Sequence, residues 1–422
     1  MTRILNRKSS VNLKKYLAPI SLASILMLGS VAQAQVKIAY IDPLSGPFAN
    51  VGEEGLKQFR EVAEIDVNQK GGVNGQKLEI VPIDNKGSPQ ETLVALKNAT
   101  DQGIRYVTQG NGSGAAAALV DGINKWNARN PDKTVLYLNY AAVDPTLTNE
   151  KCSFWHFRFD AHVGMKIEAI TNYIKTQNNI KKVFILGQNY AHGQQVSAYS
   201  KAMLKAKRPD IEIVGDDLHP IGTVKDFSPY IAKIKASGAD TVITGNWGND
   251  MSLLAKAAKD AGLQAKFYTF YAGGLGTPAA IGAAGDGKII QVTEWHMNIP
   301  NNGLEKFALD FNKKYTPIDF YYGRVNTMID MLAAAMNKAK SNDPKAVALA
   351  LEDMTFKSGY GDVYMRKGDH QLVQPLILSV FSKAGTPGVK YDVEKTGYGF
   401  KSIASLSLKD ADQPNTCVME RP

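Results

Sequence analysis

Residues 104–129, IRYVTQGNGSGAAAALVDGINKWNAR, decide the fold. Ile104–Thr108 is a short apolar run of the kind that forms a strand buried on both faces. Ala115 to Arg129 places its apolar residues at helical spacing. Between them lie only Gln109 and the turn Gly110-Asn-Gly-Ser-Gly114. A buried strand turning directly into a helix is half of a βαβ unit.

The same alternation spreads outward in both directions. Upstream, Val36–Ile41 reads as a strand, Val51 to Asn68 as a helix, Leu78–Ile83 as a strand and Pro89 to Gln102 as a helix. Gly71–Gly75 is a turn, since glycine supplies the positive φ such turns need. Downstream, Thr134–Leu138 is a strand, and the series restarts with a helix over Val163–Gln177. Strands follow at Lys182–Leu186, Ile211–Val214, Asp240–Thr244 and Phe267–Phe270, with helices at Gly193–Lys207, Asp226–Ala236 and Asn249–Ala261. Late helices at Phe320–Lys340 and Pro344–Asp353 and a last strand at Leu376–Phe381 complete the pattern. Asp216-Asp217 is expected to mark a strand end. Two βα series of similar size predict an α/β protein of two lobes with parallel sheets. No Pro- or Ser-rich linker separates the series, so the lobes are expected to be joined by close crossings.

The chain has 422 residues, 44% hydrophobic and 21% charged, which excludes a disordered or fibrous chain. The net charge of +9 would hint at nucleic acid. Arg3, Arg7, Lys8, Lys14 and Lys15, however, supply more than half of that excess before residue 16, with no acid among them. The other basic residues are interspersed with acids, so no nucleic-acid partner is expected. The basic stretch is followed by an apolar run, Leu17 to Val31, and then by Ala32-Gln33-Ala34. The run suits a signal peptide better than a membrane span. Cleavage after Ala34 would deliver the protein to a bacterial periplasm. The competing reading, an uncleaved anchor, sits poorly with so well-formed a cleavage site.

Periplasmic conditions are oxidising, and Cys152 and Cys417 are the only two cysteines. Either they bridge, tying residues 411–422 back to the middle of the chain, or they are two buried thiols; the compartment favours the bridge.

Catalytic signatures are missing. Gly110–Ala115 fits the dinucleotide variant G-x-G-x-x-A, but Asp132 precedes the next strand instead of ending it. An exported chain would also have to find its nicotinamide cofactor outside the cytoplasm. The turn is better read as an anion site, because helix-opening N–H groups suit a carboxylate. Asn111 stands where G-x-S-x-G needs glycine, and the six histidines are scattered without zinc-peptidase spacing. No enzyme, cofactor or metal is expected.

Leu44-Ser-Gly-Pro47, Asn68-x-x-Gly-Gly-Val-Asn-Gly75, Asp144-Pro-Thr-Leu147, Phe157-Arg158, Asn189-Tyr190-x-x-Gly193 and Asp226-Phe-Ser228 occur in order. Together they resemble the periplasmic Leu/Ile/Val-binding proteins, solute receptors of ABC importers. The resemblance implies a type I periplasmic binding protein of two Rossmann-like lobes joined by a three-strand hinge, an inner-membrane permease with its ATPases as partners, and a monomer. It implies one lobe of 36–158 plus 293–364 and another of 159–292 plus 365–410, with crossings near Phe157–Asp160, Thr293–Glu294 and Tyr364–Arg366. A ligand-sensing receptor of the same fold is the alternative.

Strand carboxyl ends then nominate the ligand site: Phe48, Gly112, Ser113, Ala141, Ala142, Val143, Tyr190, Asn246, Trp247, Gly273 and Tyr321. By resemblance, Ser113 is a carboxylate donor, whereas Val143 and Gly273 stand where a threonine hydroxyl and an acid would cage an ammonium. A ligand without an α-ammonium, such as an aromatic or aliphatic acid or an amide, is therefore expected beside the branched-chain amino acids.

Overall fold

The computed structural model describes residues 35–422. The expected signal peptide and its cleavage site lie outside the described residues. The strands are β1 (Val36–Asp42), β2 (Leu78–Asp84), β3 (Tyr106–Gln109), β4 (Leu136–Asn139), β5 (His156–Arg158), β6 (Lys182–Gln188), β7 (Glu212–His219), β8 (Thr241–Thr244), β9 (Lys266–Thr269), β10 (Ile289–Thr293), β11 (Thr355–Ser358), β12 (Gly361–Met365), β13 (Leu372–Val373), β14 (Leu376–Lys383) and β15 (Tyr398–Leu406). The helices are α1 (Ala49–Val62), α2 (Pro89–Asp101), α3 (Ser113–Arg129), α4 (Val163–Lys175), α5 (Ala191–Lys207), α6 (Ser228–Ser237), α7 (Gly248–Asp260), α8 (Thr277–Ile281), α9 (Glu305–Tyr315), α10 (Gly323–Ala339), α11 (Pro344–Leu351) and α12 (Leu408–Ala411).

The first sheet runs β2-β1-β3-β4-β5, all parallel. Its strands read as unbroken apolar runs because helices cover both faces. Ile38, Tyr40, Val107, Leu136 and Leu138 join Phe59 and Val62 of α1, Leu119 of α3, and Val325 and Leu332 of α10 in one core. The second sheet runs β15-β14-β10-β9-β8-β6-β7. Five strands are parallel, and β14 and β15 add to the edge antiparallel. β15 had no counterpart in the sequence reading, because Tyr398–Leu406 mixes polar and apolar residues without a buried run. Asp216 and Asp217 lie inside β7, not at its end. That strand is a sheet edge, so Asp216 pairs with Lys201 and Asp217 with Lys233 on its exposed flanks.

The chain passes between the two sheets three times. The first passage follows β5 at Arg158–His162, and the second follows β10 at Thr293–Trp295. The third lies at Gln371–Pro375, later than Tyr364–Arg366. β12 turns back to pair with β13, setting Tyr364 opposite Val373, before the chain enters β14. Gln371 knits the passages together: it accepts from Arg158 Nε at 2.7 Å and donates to the Asp160 carbonyl at 2.8 Å. Cys152 and Cys417 are bridged, with Cα atoms 5.8 Å apart. The tail beyond the bridge packs on the first core through Met419, and Arg421 pairs with Glu352.

Candidate ligand cleft

A cleft of about 510 Å³ opens between the carboxyl ends of the two sheets. In the parallel α/β arrangement, those ends are where loops and helix N-termini converge. The first sheet contributes the Gly110–Ser113 turn after β3 and Ala141–Val143 after β4. The second contributes Tyr190 and His192 after β6, Trp247 and Gly248 after β8, and Tyr271, Gly274 and Leu275 after β9. Val51 and Glu54 of α1 and Tyr321 and Tyr322 before α10 complete the lining.

The Gly110–Ser113 turn is fixed from beneath. The buried Asp42 carboxylate, at the end of β1, accepts the Asn111 N–H at 2.8 Å and the Tyr140 hydroxyl at 2.9 Å. Burial pushes the Asp42 carboxyl up to about 7, against these donors. Gly112 has φ of 97°, a conformation that strains any side chain, and it opens α3 without a side-chain cap. Seventeen residues of helix thus present their positive end and first N–H groups beside the Ser113 hydroxyl. Such an end binds an anion.

The opposite wall is aromatic. Trp247 Nε1 donates to the Tyr190 hydroxyl at 2.9 Å, fixing both rings. His192 Nε2 lies 2.9 Å from the Gly245 carbonyl, which assigns the ring proton to Nε2. Burial lowers this imidazole to about 4, so it is neutral near pH 7.

Behind the cleft, a charged cluster joins the passages. Arg324 holds Glu294 with Nη1 at 2.9 Å from both carboxylate oxygens, and its Nη2 lies 3.3 Å from Asp160. Lys166 pairs with Asp160 at 2.8 Å. Burial alone would lower the Arg324 guanidinium; Asp160 and Glu294 outweigh it and hold the group well above its usual range.

Of the nominated residues, Gly112, Ser113, Ala141, Ala142, Val143, Tyr190, Trp247 and Tyr321 line this cleft together. Three do not. Phe48 stands at its mouth, stacked on Trp247. Asn246 is fully buried under the loop after β8, its Nδ2 2.8 Å from His219 Nε2. Gly273 lines an adjoining chamber of about 490 Å³, and a Cβ there would come within 2.8 Å of the Tyr321 ring and of Gln291 Oε1. Tyr321 therefore occupies the space that a larger residue at 273 would need. His192 and Tyr271 belong to the strand-end segments Gln188–His192 and Tyr271–Gly274 expected to face the ligand, though not nominated singly, whereas Val51, Glu54, Leu275 and Tyr322 were not expected in the cleft. A signal for Glu54 existed: Glu54, Gln58 and Glu61 follow one another at helical spacing on the buried face shared with Val51, Gly55 and Val62.

A family model described as "Periplasmic binding protein" matches residues 35–386. "Leu/Ile/Val-binding protein homolog 4" of Brucella abortus is 32% identical over 424 residues, covering 98% of this chain and 100% of that protein. The solved structure of a leucine-, isoleucine-, valine-, threonine- and alanine-binding protein from Brucella ovis, in a closed conformation, aligns with a TM-score of 0.80 at 32% identity, covering 92% of this chain and 100% of that one. An ABC-transporter solute-binding protein from R. palustris, solved with benzoate, shares the fold with a TM-score of 0.74 at 20% identity, covering 91% and 100%.

Proposed function

We propose that this chain, which belongs to the periplasmic binding protein family, is the solute receptor of an ABC importer and captures a small carboxylate-bearing solute. Branched-chain amino acids, the ligands named for its Brucella relatives, are the first class to test, with aromatic and aliphatic acids and amides beside them. One observation carries the reading: the uncapped N-terminus of α3, with Ser113, faces the Tyr190–Trp247 wall across the cleft. An anion receptor on one side and a flat apolar wall on the other suit a small acid with an apolar body.

The lobe division 36–158 plus 293–364 against 159–292 plus 365–410 belongs to the same reading. It is supported by the shared core of the first sheet with α10 and α11, with the third boundary moved to Gln371–Pro375. Ligand bridging the lobes shifts the population toward the closed form, which docks on the permease. The receptor acts outside the cytoplasm after cleavage behind Ala34, as a monomer and without catalysis.

A thermal-shift screen of amino acids, aromatic acids, amides and urea tests it. Ligand at a hundredfold excess over its Kd adds about 2.7 kcal/mol of stability. A clear rise in Tm is expected with at least one carboxylate and not with the amine lacking it. No rise with any carboxylate would overturn the reading.

A further inference from the structure

Glu54 is the one carboxylate of the cleft that its own protein leaves without a strong partner. It is 2% exposed, yet Oε2 has no hydrogen-bond partner, Oε1 has Gln58 Nε2 only at 3.4 Å, and the Leu275 backbone N–H is the one other donor turned toward the carboxyl. No lysine or arginine forms an ion pair with it among the described residues. It stands on the wall between the cleft and the adjoining chamber, lining both. Two further buried acceptors on the chamber wall are also unpartnered: Gln291 Oε1, on a side chain 1% exposed, and the Tyr321 hydroxyl.

The chamber is acidic, but its other acids are accounted for. Asp319 accepts the Glu394 N–H at 2.6 Å. Glu394 accepts the N–H groups of Gly276 and Ala279, and Asp392 accepts that of Gly397. Their field favours a cation beside Glu54. A buried carboxylate with so little compensation is costly, so it stays protonated until a cation arrives. The surroundings agree: burial raises the Glu54 carboxyl well above its usual range and Glu394 and Asp319 push the same way, while the Leu275 amide and Arg324 oppose them. Tyr40, Tyr321 and Tyr322 face the same carboxyl as neutral hydroxyls.

We propose that Glu54 recognises a cationic nitrogen of the ligand, the ammonium of an amino acid whose carboxylate lies at the N-terminus of α3. The inference rests on reading the cleft as a carboxylate receptor. It moves the missing acid from Gly273, where Tyr321 leaves no room, to α1. Both charged ends are then held by elements of the first sheet's core, α1 and α3. The amino acid docks there first, and the Tyr190–Trp247 wall closes over its side chain. The ligand is thus a zwitterion, not a simple carboxylic acid.

Calorimetry at pH 7 tests this with leucine, phenylalanine and their deaminated 2-oxo analogues, on the wild type and Glu54→Gln. A charge-assisted hydrogen bond in a buried site is worth roughly 30-fold in affinity. The wild type is expected to prefer an amino acid over its 2-oxo analogue by about that factor. Glu54→Gln is expected to lose about as much toward the amino acid and to hold the 2-oxo acid within about threefold. Repeating the wild-type titration in phosphate and in Tris buffer counts protons: amino-acid binding should release about one, as Glu54 ionises. That count needs no variant and stands if Glu54→Gln does not fold. Equal binding of both classes, unchanged discrimination in Glu54→Gln, or no proton release overturns the Glu54 assignment and leaves the carboxylate reading intact. Binding of neither class removes the carboxylate reading, and this inference with it.

Discussion

The rings of Phe48 and Trp247 stack with centroids 4.2 Å apart and planes inclined at 29°. Phe48 precedes α1 and Trp247 precedes α7, so the stack ties the carboxyl ends of the two sheets together across the cleft mouth. Asn249 adds a hydrogen bond to the Pro47 carbonyl at 2.6 Å. Both belong to a closed form and cannot survive separation of the lobes. An aromatic pair contributes about 1 kcal/mol beyond the area it buries. Trp247→Ala also removes the Tyr190 hydrogen bond and part of the ligand wall. Ligand affinity is expected to fall about 10- to 100-fold, with a larger radius of gyration in solution scattering at saturating wild-type ligand concentration. Affinity within twofold of wild type would show that the stack does not contribute to closure.

The Arg324–Glu294 pair should govern stability. Removing one partner of a buried pair leaves an uncompensated charge and costs about 3–5 kcal/mol. Arg324→Met leaves Glu294 with only the backbone N–H of residue 324 and Asp160 with Lys166 and the Tyr271 hydroxyl, so urea unfolding should show a loss of that size. Arg324→Met combined with Glu294→Leu should recover part of it. A double variant no better than the single one would argue against charge burial as the cause.

Asp42 should make stability depend on pH. Its folded pKa of about 7 lies above the ordinary 3.8, so between these values the native state holds a proton that the unfolded chain has released. Stability from this group is therefore full below the unfolded value, falls as pH rises toward 7, and levels off above it. Asp42→Asn removes the titration while keeping an acceptor for the Asn111 N–H. Unfolding free energies at pH 5 and pH 8 should show the variant gaining about 3 kcal/mol on the wild type across that interval. A difference between the two proteins that does not change with pH would contradict this.

The Cys152–Cys417 bridge closes a loop with a sequence separation of 265. The loop-entropy model gives about 5 kcal/mol for so wide a ring, and measured losses run to about 2–5 kcal/mol. Reductant should lower the Tm of the wild type to that of Cys417→Ser and leave the variant unmoved. Thiol labelling of denatured, unreduced protein should find no free cysteine; two would refute the bridge.

The βα series was legible because its strands are unbroken apolar runs with glycine-rich ends, as at Ile104–Gly114. β5, β11 to β13 and β15 were not, because short or half-exposed strands carry no such run, and neither was the buried β10, whose Ile289–Thr293 is only five residues long with Gln291 inside it. The same contrast runs through the cleft. Ser113 was legible from a local pattern, a glycine turn opening a helix. Glu54 was not, since a helical residue's facing toward a cleft depends on helix rotation and on the lobe opposite.

The sequence by itself determined two α/β lobes, the glycine turn that opens α3, and the only possible cysteine pair. Each rests on local backbone preference, hydrophobic periodicity or simple counting, which neighbouring residues settle among themselves. Only the tertiary structure decided that Phe48 meets Trp247, that Tyr321 fills the space beside Gly273, and that Glu54 stands unpaired. Those relationships join segments distant in the chain, Phe48 and Trp247 some 200 residues apart, and their geometry follows from how the two sheets close on each other.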